Sequence, residues 1–176
     1  LRFTMTRENV HQLDAIFDLI AREGIPRACF YHLVYSGRAR HMMDDDLAHE
    51  ETRAALDLII EKTMEFCRSG KEILTVDNHA DGPYIYLKFR HQDPQKAKEI
   101  YRLLLQNGGN RSGIAIAAVD WEGNVHPDQF SLHHTLGNVR QRSFGQIWTD
   151  DSHPILRGLR NRQSLLHGRC SYCRFL

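Results

Sequence analysis

Two cysteines near the end of the chain, Cys170 and Cys173, have the spacing of a metal-binding pair. A Cys-x-x-Cys motif places two thiolates on one turn of chain, where both can bind the same metal ion or iron–sulfur cluster. Redox catalysis is the weaker interpretation, because no thioredoxin-like βαβ pattern surrounds the motif. The spacing does not distinguish a zinc site from an iron–sulfur cluster. Either site needs further ligands, which must come from elsewhere.

The two remaining cysteines, Cys29 and Cys67, are predicted to be structural. Cys29 lies in an apolar run, Cys67 lies on the apolar face of a predicted helix, and free cysteine is among the most buried residue types. The chain has no signal-peptide pattern in front of these cysteines. We therefore expect reduced thiols and a cytoplasmic location.

The charge balance argues against nucleic acid and membrane as partners. Lysine and arginine number 23, aspartate and glutamate number 22, and the net charge is +1. The two signs are interspersed along the chain, so no basic patch is predicted. No apolar run approaches the roughly 18 residues that span a bilayer. Hydrophobic residues make up 41% of the chain, which is enough for a packed core.

Several histidines and arginines lie in predicted loops. His79 lies in a turn-rich loop, His133 and His134 form a pair in an irregular segment, and Arg38 and Arg40 follow a buried strand. Loops at the carboxyl ends of parallel strands hold the ligands of α/β folds, and arginine binds carboxylates well. For each histidine, an ordinary hydrogen-bonded loop residue remains the simpler interpretation.

The first part of the chain has an α/β pattern. A strand at 1–6, a helix ending at Gly24 and an apolar strand at 27–35 form a βαβ unit, and the second strand is predicted to be buried on both faces. A helix at about 47–69, strands at 73–76 and 84–89, and a helix from Asp93 to about 107 follow.

The pattern changes near residue 110. A hairpin turn is predicted at 120–124, a capping box at Ser143 and Gln146 begins a short helix, and another helix begins at Pro154. We therefore predict two domains, residues 1–107 and residues 108–176.

Long motifs in this second part resemble a known family. Residues 123–128 and 136–148, followed by Cys170-x2-Cys173, resemble the SPASM or twitch extension of radical S-adenosylmethionine (SAM) enzymes. One family cysteine is Asp128 here and another is replaced around Asn110, so the usual double-cluster pattern is absent. Residues 31–38, 74–84, 107–110 and 123–128 are most similar to the NirJ subgroup, which serves heme d1 biosynthesis.

The resemblance implies a C-terminal fragment. The fold would be the last part of a partial (β/α)6 radical SAM barrel, then a small α+β auxiliary-cluster region. The Cys-x3-Cys-x2-Cys motif of the SAM-cleaving cluster would lie upstream, so the fragment alone is expected to be inactive. A further cluster cysteine would follow Leu176.

The implied activity is radical modification of propionate side chains on a siroheme-derived tetrapyrrole, by a 5′-deoxyadenosyl radical from SAM. Cys170 and Cys173 would bind an auxiliary 4Fe–4S cluster, and flavodoxin or ferredoxin would be the reductant. Thr4, Thr6, His32, Leu33, Val34 and Tyr35 would contact SAM; Arg38, Arg40 and Arg111 would bind substrate carboxylates; and His79, His133 and His134 are candidate catalytic residues.

Three alternatives stay open. The related radical SAM enzyme that makes heme b from iron-coproporphyrin is the nearest, and a SPASM enzyme acting on a peptide is the second. The third is a zinc-binding interaction module, for which His153 or His167 would have to complete the site of Cys170 and Cys173.

Overall fold

The structure is a computed structural model that describes residues 1–173 and 175. Its residues divide into two compact units, Leu1–Leu103 and Leu104–Leu176. Both helices and sheets are present, so the α/β class is confirmed at this level. None of the helices in the described part of the chain is long and apolar enough to cross a membrane.

The first unit contains a parallel sheet with helical connections. Its strands are β1 (Arg2–Thr4), β2 (Arg27–Tyr31) and β3 (Glu72–Val76), and its helices are α1 (Leu13–Arg22), α2 (His49–Phe66), α3 (Asp81–Gln92) and α4 (Pro94–Asn107), the last of which ends in the second unit. Short 3-10 helices occupy Val10–Gln12, Gly37–His41, Met43–Asp45 and Cys67–Ser69.

The sheet has the strand order β1-β2-β3, and both strand pairs are parallel. Phe3 pairs with Phe30, and Phe30 pairs with Thr75, which fixes the register across all three strands. Parallel neighbours need a crossover connection, which α1 and α2 provide here. The three strands therefore end at one common edge, which is where α/β proteins bind ligands.

A cluster of aromatic rings fills the core beneath this sheet. Phe17 of α1 lies with its ring centre 4.9 Å from that of Phe30 and 5.9 Å from that of Phe66. Ile20 and Ala28 are fully buried beside them. Packing of α1 and α2 against the sheet thus holds β2 in place, and with it the residues that follow β2.

One predicted strand is wrong, because residues 84–89 form the middle of helix α3. Alternating apolar residues suggested a strand, yet Asn78 Oδ1 accepts a hydrogen bond from the backbone N–H of Ala80 just before the helix begins. Pro83 lies in the first turn, where its missing N–H is tolerated. Tyr84 then donates to Asp57 Oδ1 of α2 at 2.8 Å, so the helix packs through polar contacts.

The prediction for the structural cysteines is also wrong in part. Cys67 is exposed, since α2 ends at Phe66 and Cys67 begins a 3-10 helix. Cys29 is half-buried, because β2 buries only the face that carries Ala28 and Phe30. The same alternation corrects the expectation of a strand buried on both faces. The strand also stops at Tyr31 rather than residue 35.

The second unit has a small antiparallel sheet and short helices. Its elements are β4 (Ala118–Val119), β5 (Asn124–His126), β6 (Gly137–Asn138), α5 (Phe144–Trp148) and α6 (Pro154–Arg160), with 3-10 helices at Arg162–Leu165 and Gly168–Tyr172. The predicted hairpin is confirmed by the pairing of β4 with β5. The predicted capping box is confirmed as well, because Ser143 and Gln146 exchange side-chain and backbone hydrogen bonds.

Close packing in this unit requires a glycine at residue 113. Gly113 has a φ of +69°, and a Cβ there would lie 2.6 Å from Leu159 Cδ1. Its N–H contacts Pro127 O at 3.0 Å, and its carbonyl accepts from Arg160 Nε at 3.1 Å. Gly113 therefore joins α6 to the end of β5, around a core of Val125, Leu136, Ile147 and Leu156.

Candidate functional site

Polar residues gather at the carboxyl edge of the parallel sheet. His32 directly follows β2, Asp77 directly follows β3, and Asp81 is the first residue of α3. The backbone N–H of His32 donates to Val76 O at 3.0 Å, so the strand ladder continues up to this point. The sheet therefore determines the positions of all three residues.

His32 and Asp81 form a nearly buried pair. His32 Nε2 lies 2.9 Å from Asp81 Oδ2, and the two side chains are 11% and 5% exposed. Asp81 Oδ1 is buried and has no hydrogen-bond partner in the described part of the chain. Buried carboxylate oxygens normally have partners, so this atom marks an incomplete polar environment.

A second carboxylate, that of Asp77, and a second histidine, His79, lie at the same edge. Partial burial raises the pKa of Asp77 above its usual range, although the nearby His32 and His79 side chains act in the opposite direction. Its φ is +71°, a strained value for a residue other than glycine. His79 itself is exposed. The edge thus combines two imidazoles with two carboxylates.

The residues predicted to contact SAM lie at the ends of β1 and β2. Thr4 ends β1, and Thr6 is buried two residues later. The side chain of Asn9 donates to Thr4 O and accepts from the N–H of Thr6, both at 2.9 Å. Leu33 and Val34 are half-buried, the His32 side chain is nearly buried, and Tyr35 is exposed and donates to Asp46.

The predicted carboxylate-binding arginines lie on exposed surface. Arg38 and Arg40 belong to the 3-10 helix that follows these residues, and Arg40 Nε donates to the neighbouring His41. Arg111 lies in the second unit, where its carbonyl accepts from three backbone N–H groups. All three side chains are accessible to a ligand from solvent.

His133 and His134 belong to the second unit and are both exposed. Their ring centres lie 4.1 Å apart. The His134 carbonyl accepts from His126 Nδ1 at 2.8 Å, which fixes the loop. Each unit therefore contains some of the candidate catalytic histidines.

Cys170 and Cys173 lie together at the last 3-10 helix. Both thiols are free and exposed, and the N–H of Cys173 donates to the carbonyl of Cys170 at 3.3 Å. The backbone at the motif thus forms a turn, as expected for a Cys-x-x-Cys pair of ligands. No third cysteine, histidine, aspartate or glutamate of the described residues joins them to make a metal-binding group.

Asp128, which the motif resemblance places where the family has a cysteine, stabilises a turn in the second unit. Asp128 Oδ1 accepts from the N–H groups of Phe130 and Ser131, both at 2.8 Å. Burial by itself would raise the pKa of Asp128, but hydrogen bonds from Ser112, Phe130 and Ser131 outweigh it and lower that pKa. The Asp128 carboxylate therefore caps this turn.

Asp120 makes this unit sensitive to acid. Burial opposes ionisation, yet hydrogen bonds from Asn124, His126 and the Glu122 N–H lower the pKa of Asp120 to about 2. Because this pKa is below the ordinary value of 3.8, the contribution of Asp120 to stability is present above about pH 4 and is lost as the pH falls towards 2.

Asp120→Asn should therefore reduce the difference in thermal midpoint between pH 5 and pH 3. Calorimetry of the full-length protein at both pH values measures this, with the exposed Asp151→Asn as the control. An unchanged difference would contradict the role of Asp120.

Sequence reasoning identified part of this site and missed the rest. His32 and His79 were among the predicted site residues, but Asp77 and Asp81 were not. The available signal was the position of both aspartates in the loop after a buried parallel strand.

Comparison with known proteins gives the same family as the motifs. Residues 112–174 match the SPASM family, an iron–sulfur cluster-binding domain. The chain is 50% identical to Fe-coproporphyrin III synthase of Methanosarcina barkeri, with 100% of the chain and 45% of that protein covered. It is 37% identical to pre-heme d1 synthase of Dinoroseobacter shibae, with coverages of 98% and 44%.

A third relative, the AdoMet-dependent heme synthase of Nitratidesulfovibrio vulgaris, is 24% identical, with 98% of the chain and 45% of that protein covered. No solved structure matches the chain. The chain spans less than half the length of each of these relatives. The resemblance predicted from the motifs is confirmed, because residues 112–174 match the SPASM family of iron–sulfur cluster-binding domains.

Proposed function

We propose that this chain is a segment of a radical SAM enzyme that modifies the side chains of an iron tetrapyrrole. The observation that carries the proposal is the similarity of the whole chain to two proteins named for tetrapyrrole products, at 50% and 37% identity. A third relative is AdoMet-dependent by name. SAM with a reduced iron–sulfur cluster supplies radical chemistry, and flavodoxin or ferredoxin is the proposed electron donor.

Cys170 and Cys173 provide two ligands of an auxiliary 4Fe–4S cluster in this proposal. Their free, exposed thiols on one bent segment support it, because thiolates are the usual ligands of such clusters. The zinc-module alternative receives no support from His153 or His167, since the described residues contain no metal-binding group of three or more ligands.

The carboxyl edge of the parallel sheet is the proposed SAM-binding region. Thr4, Thr6 and residues 32–35 follow two adjacent strands, and the N–H of Met5 donates to Tyr31 O at 2.8 Å between them. The parallel sheet with helical crossovers is consistent with part of a (β/α)6 barrel. Backbone groups of residues 32–35 would contact the adenine, as the family resemblance implies.

The arginines would bind the acidic side chains of the substrate. Arg38, Arg40 and Arg111 have exposed guanidinium groups, and guanidinium forms two parallel hydrogen bonds with a carboxylate. His79, His133 and His134 are exposed as well, and each is a proposed proton donor. No single arginine or histidine is distinguished by its contacts.

Three products are candidates under the proposal. Heme d1 biosynthesis was expected from the motifs, and pre-heme d1 synthase is 37% identical. Fe-coproporphyrin III synthase is 50% identical over the whole chain, and this higher identity favours formation of Fe-coproporphyrin III as the second candidate function. The heme synthase relative, at 24%, gives weaker support for synthesis of heme b.

An assay of the full-length protein tests the proposal. The protein would be purified without oxygen, reduced, and incubated with SAM and a siroheme-derived tetrapyrrole or iron-coproporphyrin III. We expect 5′-deoxyadenosine together with one new tetrapyrrole, which mass spectrometry identifies as pre-heme d1, Fe-coproporphyrin III or heme b. Reaction with a peptide and with neither tetrapyrrole would reject the proposal in favour of a peptide-modifying enzyme.

A further inference from the structure

The contact between His32 and Asp81 determines which nitrogen of the His32 ring carries a proton. Nε2 lies 2.9 Å from Asp81 Oδ2. An ionised carboxylate only accepts hydrogen bonds, so Nε2 must be the donor. In the neutral imidazole the lone pair then belongs to Nδ1. Asp81 therefore fixes a single tautomer and a single orientation of the ring.

This arrangement is the one that proteins use to hold a histidine for metal binding. A metal-ligating histidine almost always donates its other ring N–H to a carboxylate, a carbonyl or water, which orients the ring and increases its basicity. Asp81 is suited to this task, because its side chain is 5% exposed and its Oδ1 has no partner of its own in the described part of the chain. The negative charge of Asp81 is thus directed towards His32.

The second ring nitrogen of His32 is not used by the described part of the chain. Nδ1 has no hydrogen bond to a described residue, and 11% of the His32 side chain is exposed. His32 also lies at the carboxyl edge of the parallel sheet, where α/β proteins bind ligands. His79 differs from His32, since it is exposed and no hydrogen bond to a carboxylate of the described residues orients its ring.

We propose that His32 binds the iron of the tetrapyrrole substrate through Nδ1, as an axial ligand, and that Asp81 is the positioning residue. The inference rests on the proposed function, because it assumes an iron tetrapyrrole as substrate. The Nδ1 lone pair forms one bond to iron, a weakly bound water or chloride leaves that axial position, and the oxidation state of the iron is unchanged. His32 would thereby fix the height and tilt of the macrocycle above the edge of the sheet.

Spectroscopy of the full-length protein tests the inference without turnover. Ferric iron-coproporphyrin III, added in the absence of SAM, should give the Soret band and low-spin or high-spin EPR signals of an imidazole-bound iron. His32→Ala should lose these signals and bind the iron compound at least about 10-fold more weakly. Added imidazole should restore the signals in His32→Ala, whereas His91→Ala, an exposed control on α3, should match the wild type.

Binding of metal-free coproporphyrin III distinguishes a failure of the inference from a failure of the proposed function. Quenching of its fluorescence reports tetrapyrrole binding without iron, and His32→Ala should retain that binding. If the imidazole signals persist in His32→Ala, or disappear only in His79→Ala, the inference is overturned and the proposed function stands. If the wild type binds neither compound, both the proposed function and the inference that depends on it are rejected.

Asp81→Asn provides a second variant of almost unchanged size. An amide in place of the carboxylate should weaken the donor strength of the imidazole, shifting the EPR g values while His32 stays bound. Spectra identical to the wild type would contradict the positioning role of Asp81. This result would be informative even if His32→Ala failed to fold.

Discussion

Replacement of Cys170 and Cys173 by serine is expected to remove one complete iron–sulfur cluster from the full-length protein. Serine is a poor ligand for iron–sulfur clusters compared with a thiolate, so the double variant should lose about four irons and four sulfides per chain. Both thiols are free and exposed on one turn, and residues 112–174 match a cluster-binding family. The expected effect is therefore the loss of a cofactor rather than a small change in affinity.

Iron and sulfide analysis after anaerobic reconstitution measures this effect. Cys67→Ser is a matched control, because Cys67 is also a free and exposed thiol but lies in the first unit, outside the SPASM residues. Iron content should be equal in Cys67→Ser and the wild type. Equal iron content in the double variant would mean that the cluster uses other ligands, and stoichiometric zinc in place of iron would support the interaction module.

Phe17→Ala should cause the largest loss of stability in the first unit. The Phe17 side chain is 1% exposed and its ring contacts those of Phe30 and Phe66, at centre distances of 4.9 and 5.9 Å. Truncation of a buried phenylalanine costs about 3–5 kcal/mol, through lost burial and the cavity that remains. The residues after β2 should lose their fixed position with it, since α1 packs directly against β2.

Urea unfolding of the full-length protein, followed by circular dichroism, measures the change. Leu87→Ala is the control, because Leu87 lies in the same unit and is 45% exposed; it should shift the unfolding midpoint little. A midpoint for Phe17→Ala as high as that of Leu87→Ala would contradict the assignment of Phe17 to the core. Loss of tetrapyrrole binding together with stability would link the core to the site.

Local signals in the sequence predicted much of the fold. The capping box at Ser143 and the turn at 120–124 act through residues only a few positions apart, and both were found as expected. The strands β1, β2 and β3 were recognised from short apolar runs. Such features depend on neighbouring residues, which a single sequence displays directly.

The errors concern residues whose environment is set by distant parts of the chain. Residues 84–89 alternate like a strand, but Asp57 of α2 accepts hydrogen bonds from Tyr84 and Lys88, which lie one helical turn apart on α3. Cys67 has the spacing of a buried helix position, but the helix ends just before it. Asp81 looked like a turn residue, and only its contact with His32, 49 positions away, gives it a role.

The strand order of the parallel sheet has a consequence for biosynthesis. Within this sheet each described strand pairs with the next one along the chain, so these pairings form between neighbours in translation order. Domains form from the amino-terminal side as the chain leaves the ribosome. The nascent chain can add β1, β2 and β3 in order, and each arriving strand covers the exposed edge of the one before it, where nascent strands are most prone to aggregate.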